Sequence, residues 1–139
     1  MADLTINAAA VAASNQATIR REYPFGASIG AGQLVYLDTN NRWQLFDSDA
    51  GSGVGANVTD LRGISLNNGA NGQPAAVATY DPNFAPGTTL ANGVSYYGSR
   101  NAGAITADVP ASGNYPVFIG TARSTSRINL NPTAAGVSV

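Results

Sequence analysis

Residues 33–46 read Gln33-Leu34-Val35-Tyr36-Leu37, then Asp38-Thr39-Asn40-Asn41, then Arg42-Trp43-Gln44-Leu45-Phe46. Two runs rich in leucine, valine and aromatic residues flank a cluster of turn formers, and this predicts an antiparallel hairpin. The apolar residues are partly continuous instead of strictly alternating, so both faces of the hairpin are expected to meet protein.

The pattern continues outward from that hairpin. From Ile29 onward, short β-rich runs alternate with Gly, Asn, Asp and Pro clusters: 61–66 (LRGISL), 74–80, 94–97, 104–107, 115–122 and 127–130. Between them lie a Gly-rich loop from Ser48 to Gly55, a turn over 67–73 containing Asn68-Gly69 and Asn71-Gly72, and a further turn over 81–87. Asn131-Pro132 ends the last run and Thr133–Val139 reads as a small-residue tail. The expectation is an all-β domain, a single compact sandwich or barrel, a jelly roll or a smaller barrel, with little room for helices.

An internal repeat runs through this region. Gly32, Val35 or Tyr36, Asn40 and Asp47 align at a constant offset with Gly93, Tyr96 or Tyr97, Asn101 and Asp108. After a shorter connection LRGISL falls on the VFIGTA region, with Gly63 matched to Gly120. Two related β units packed as halves of one domain would produce this match.

Residues 1–24 differ from the rest. Leu4 and Ile6 are followed by AAAVAASNQA and then Thr18-Ile19-Arg20-Arg21-Glu22-Tyr23, with Pro24 and Gly26 as punctuation. An isolated helix of about a dozen residues is marginal in water, and this segment has no broad apolar stripe. It reads as an extended N-terminal arm, residues 1–24, preceding a β domain over 25–139. Leu4, Ile6 and Ile19 would be its anchors for adding a strand to a partner's sheet, with Arg20, Arg21 and Tyr23 beside them.

The 139 residues suit one domain. Cysteine and histidine are absent, which excludes disulfides, thiolate or imidazole metal sites and nucleophile mechanisms built on a histidine base. Only 11% of residues are charged, the formal net charge is −1, and the seven basic residues are all arginines. That balance does not support a broad grip on nucleic acid. It leaves a surface of Ser, Thr, Asn, Gln, Gly and Ala, which neighbours can cover with little charge to desolvate. The N-terminus lacks a basic region followed by a long apolar core, and no window approaches the roughly 18 apolar residues of a membrane span, so neither secretion nor spanning is expected.

Chemistry-bearing motifs are sparse. Asp47, Asp49 and Gly51 match the start of a calcium loop, but no acid follows at its fifth position, and Val58 stands at the twelfth, so a solvated turn is expected and no metal. Asn57-Val58-Thr59 matches a glycosylation sequon and reads as an ordinary loop. A carboxylate pair for glycoside hydrolysis would have to come from Asp38, Asp47, Asp60, Asp81 and Asp108, all in predicted turns where aspartate bonds local backbone. No G-x-S-x-G elbow and no phosphate-binding G-x-x-x-x-G-K occurs. No catalysis and no cofactor are expected. Trp43, Tyr36, Tyr96 and Tyr97 suggest either a carbohydrate-stacking platform or, as aromatics in strands more often do, core or subunit interface. Arg20, Arg21, Arg123 and Arg127 are candidates for bidentate pairing with a partner's carboxylates or simply solubilise the chain.

The stretches ASIGAGQLVYLD (27–38), LRGISLNNGANGQPAAVATYD (61–81), GVSYYG (93–98) and PVFIGTA (116–122) together resemble the capsid cement or head decoration proteins of tailed bacteriophages. The elements that carry the resemblance are Gly32, Val35 and Tyr36, then Gly63 and Ile64, then Gly72, Gln73 and Pro74. It covers residues 27 to 122. The resemblance implies an all-β domain on the outer surface of an icosahedral head, binding the major capsid protein and joining neighbouring subunits against the pressure of packaged DNA. It also implies a homo-oligomer, a trimer in most members and a dimer in some, with no catalytic residues. The alternatives from other classes are a carbohydrate-binding or host-adhesion module using Trp43, Tyr96 and Tyr97, and another virion part such as a head fibre base or tail protein.

Overall fold

The computed structural model describes residues 3–48, 60–110 and 112–135. Within them the chain is all-β, with two antiparallel sheets consistent with a β-sandwich and no α-helix; Ala8–Ala10 form a single 3-10 turn capped by Asn7. The strands are β1 (Val11–Ala12), β2 (Thr18–Arg20), β3 (Leu34–Leu37), β4 (Trp43–Leu45), β5 (Arg62–Ser65), β6 (Val77–Pro86), β7 (Ser95–Gly98), β8 (Ile105–Thr106), β9 (Val117–Thr121), β10 (Ile128–Leu130) and β11 (Thr133–Ala134). One sheet runs β1-β6-β5-β3-β4, with β2 and β10 also on β6; the other runs β11-β9-β7-β8.

The opening hairpin forms in the expected place, Val35 opposite Leu45 and Leu37 opposite Trp43. Its turn is closed by Asp38, whose N–H donates to Arg42 O (2.9 Å) and whose carboxylate accepts from the N–H groups of Asn40 (2.9 Å) and Arg42 (3.0 Å). Asn41 supplies the positive φ of 59° that the turn requires. Both faces meet protein. Leu34, Ile64 and Ala78 face the second sheet in a cluster with Tyr96, Ile105, Val117 and Ile119. Val35, Trp43 and Val77 point the other way, under Phe25 and Ile29. That outer cover is a ribbon in which 25–29 pairs with 69–73: Phe25 N–H donates to Gln73 O, and Ile29 and Gly69 exchange both bonds. The continuous apolar run follows from this double burial.

The repeat in the sequence is a repeat in the structure. β3 lies between β5 and β4, and β7 lies between β9 and β8 in the same order. Val35 pairs with Gly63 and Tyr96 with Gly120. The flanking bonds match one for one: Gly32 N–H to Ser65 O (2.8 Å) corresponds to Gly93 N–H to Ala122 O (2.9 Å), and Ser65 N–H to Gln33 O (3.0 Å) to Ala122 N–H to Val94 O (2.9 Å). Both glycines of the matched pair serve one purpose. A side chain on Gly63 would collide with the Ala78 carbonyl, and one on Gly120 with the Asn129 carbonyl, so each lets the following strand pack against its own.

Two sequence-based expectations need correction. The turn assigned to 81–87 belongs to β6, which runs ten residues from Val77 to Pro86. Pro82 and Pro86 suggest a break, but β6 changes partners midway: its first half lies between β2 and β5, and its second half pairs with β1 and β10 across a bulge. Asp81 is therefore a strand residue.

The extended arm is also corrected, because residues 3–20 lie along the domain and complete it. Leu4 N–H donates to Ile105 O (2.8 Å), Asn7 N–H to Gly87 O (2.8 Å), and β1 and β2 pair with opposite ends of β6. Leu4, Ile6 and Val11 pack on the main core, the apolar stripe that the alanine-rich composition concealed. The pin is Asp81, 0% exposed, whose carboxylate accepts the Ser14 N–H (2.6 Å), the Ser14 hydroxyl and the Asn83 N–H (3.0 Å). A buried carboxylate needs such donors, and here the N-terminal segment brings two of the three.

Candidate functional site

The residues singled out in the sequence do not converge on one face. Leu4 and Ile6 are half-buried in the protein's own core, and Ile19 sits in β2 opposite Ala78. Arg20 Nε donates to Glu22, which raises the arginine pKa and holds the glutamate below its usual range, mainly through that hydrogen bond. Arg21 is exposed. Tyr23 packs edge-on against Trp43, with ring centres 6.4 Å apart and planes at 72°.

Trp43 is 0% exposed and Tyr96 3%, so neither can meet a sugar or a partner, and the stacking platform and interface roles read for them are overturned. Strand alternation explains both: Trp43 faces the outer ribbon and Tyr96 the inter-sheet core. Tyr96 uses its hydroxyl to accept from Ala91 N–H (2.9 Å), whereas the buried indole N–H of Trp43 has no hydrogen-bond partner. Tyr97 is half-buried and packs edge-on against Phe118 (5.9 Å).

Arg123 and Arg127 are also used within the chain. Their Nη1 groups donate to the carbonyls of Pro82 (2.8 Å) and Asn83 (3.2 Å), where β6 switches partners and Pro82 has no N–H to give. The sequence offered these arginines either to a partner's carboxylates or as solubilising charges, because it does not reveal this switch.

The carboxylates are distributed too. Burial alone would raise the Asp38 pKa, but donors from Gln44 Nε2 (3.0 Å) and from the Arg42 and Asn40 backbone hold it below the usual carboxylate range. Burial, with the charges of Asp38 and Asp60, raises the Tyr36 phenol. Burial lowers the Arg62 pKa, countered by Asp60. Asp49, Gly51 and Val58 of the calcium-like loop, and the Asn57-Val58-Thr59 sequon, lie outside the described residues. Among the described residues no group of three acidic, histidine or cysteine side chains is placed to hold a metal, and no helix is long and apolar enough to cross a membrane.

What the sequence did not signal is a cleft of about 600 Å³ at one end of the second sheet, between the turn after β7 and the loop after β8. Its lining includes buried Ser99, half-buried Asp3 and Asn114, and exposed Arg100, Asn101 and Val109. The Asp3 carboxylate accepts from Ser99 Oγ (2.6 Å) and Asn101 Nδ2 (2.7 Å), joining residues 96 and 98 positions apart in the chain. No spacing pattern connects Asp3 to this turn. A scan against protein-family models and a search of curated proteins find no match to this chain.

Proposed function

We propose that this chain is a non-enzymatic structural protein of a virion that binds the outer surface of a bacteriophage head and cements neighbouring major capsid protein subunits. The observation that carries the reading is where the charges go. Few to begin with, many are satisfied inside the protomer: Asp3 by Ser99 and Asn101, Asp38 by its turn, Asp81 by Ser14, Arg20 by Glu22, and Arg123 and Arg127 by β6 carbonyls. The remaining surface is largely small and polar, and a protein neighbour can cover it without stripping water from many ions. The resemblance to capsid cement proteins over residues 27 to 122 points the same way.

The binding mechanism differs from that of a free arm. Leu4, Ile6 and Ile19 are committed within the protomer, so the folded body is the docking unit and the N-terminal segment holds that body together. Assembly as a homotrimer or homodimer would multiply weak body contacts through effective concentration. The aromatic sugar platform loses its support with the burial of Trp43 and Tyr96.

Ala12 and Ala85 are direct partners across β1 and β6, and the chain has no cysteine, so Ala12→Cys with Ala85→Cys provides a clean lock. Heads lacking the protein should co-sediment with wild type and with the oxidised double variant alike. Failure of both to bind would refute the capsid reading. Binding by the reduced variant alone would refute body docking and restore a mobile arm.

A further inference from the structure

We infer that the cleft between the turn after β7 and the loop after β8 is a binding site for a neutral saccharide. At about 600 Å³ it falls within the size range of small-ligand sites. Its cluster of Asp3, Ser99 and Asn101 is pre-organised. Ser99 Oγ accepts from Asn101 N–H (3.1 Å) while donating to Asp3, and Asn101 Nδ2 holds the other Asp3 oxygen. Side chains fixed by one another lose little freedom when a ligand arrives.

Another part of the lining has a different character. Val109 is 76% exposed, well above Tyr80, the other exposed large apolar residue among those described, and it lines the cleft beside Pro110. A cluster of hydroxyl, amide and carboxylate groups beside exposed apolar surface suits a ring that presents hydroxyls on its edge and C–H groups on its face.

Other ligand classes fit less well. The lining sets two carboxylates, Asp3 and Asp108, against one guanidinium, Arg100, a balance that disfavours phosphate and nucleotides, and its polar groups reject an acyl chain. An extended peptide would seek the outer edge of β8, but Leu4 N–H already bonds Ile105 O and Asp3 bridges Thr106 there. The site stands independently of the capsid reading, since a sugar-binding cleft can sit on a body that docks elsewhere.

The test is NMR titration of the full ¹⁵N-labelled chain with glucose, galactose, mannose and N-acetylglucosamine, with inorganic phosphate as a separate arm. At least one sugar should give saturable shifts confined to the amides of Asp3, Ser99, Arg100, Asn101, Asp108, Val109 and Asn114, with millimolar affinity. Asn114→Ala, at a half-buried position of the lining, should weaken that binding by about three- to tenfold, the worth of one hydrogen bond, while leaving the other resonances in place. Absence of saturable shifts with all four sugars, shifts mapping elsewhere, no effect of Asn114→Ala, or saturation by phosphate instead would each overturn the assignment.

Discussion

The half built from β3 to β6 and the half built from β7 to β10 share one plan and differ at the turn that closes each hairpin. In the first, Asp38 supplies its own carboxylate, which accepts from Asn40, Arg42 and Gln44 within a few residues. In the second, the matched residue is Ser99: its hydroxyl still accepts from Asn101 N–H (3.1 Å), but the carboxylate comes from Asp3. The first half closes itself, whereas the second borrows its closure from the N-terminal segment. At the edges both halves rely on preceding chain, β4 covered by Pro24–Gly26 and β8 by Asp3–Leu4. Duplicated units can therefore share a register while depending unequally on what precedes them.

Deleting residues 1–20 breaks the comparison most severely. It removes β1 and β2 and exposes an edge of β8, and it strips Asp81 of the Ser14 donors. The truncated chain should fail to unfold cooperatively in urea, followed by fluorescence of the single tryptophan, Trp43. A well-folded truncation with wild-type stability would show that the segment is an appendage after all.

Next in size, Gly63→Ala and Gly120→Ala each drive a methyl group into a backbone carbonyl that cannot swing away. Each should cost about 3 kcal/mol by chemical denaturation. Similar values at the two sites would support equivalence of the halves, while a large effect at one alone would break it.

Ser14→Ala takes the hydroxyl donor from the buried Asp81 Oδ1, leaving it the Asn83 N–H, and should cost about 2 kcal/mol. Smaller still is the turn contrast. Asp38→Asn and Asp3→Asn should each cost about 1 kcal/mol, but only the first acts locally. Because the folded Asp38 carboxyl lies below its ordinary value of 3.8, its contribution is complete above that pH and is lost as pH falls through the lowered folded value. Asp38→Asn should flatten the acid limb of the stability profile, and an unchanged limb would contradict that assignment.

Much of this architecture was legible in the sequence. The hairpin at 33–46 announced itself through its turn residues, and its unbroken apolar run through burial on both faces. The repeat was readable because Gly63 and Gly120 are each dictated by a neighbouring backbone. The N-terminal segment was not readable: Leu4, Ile6 and Val11 are too widely spaced to show a stripe, and the residue that fastens them, Asp81, lies far along the chain between proline and tyrosine, where it mimics a turn. The aromatic candidates failed for a related reason. Trp43 and Tyr96 are types that often serve interfaces, but strand facing turns them inward, while Arg123 and Arg127 reach carbonyls where β6 switches partners, and neither arrangement can be seen before the strands are paired. The cleft joins Asp3 to Ser99 and Asn101, a contact without local signature.

Cryo-electron microscopy of heads carrying this protein tests the central claim most directly. The account predicts density for the whole two-sheet body on the outer surface across a junction of capsid subunits, with residues 3–20 following β6 of their own protomer. Heads without such density, or a segment traced from the body into a neighbouring subunit, would contradict it.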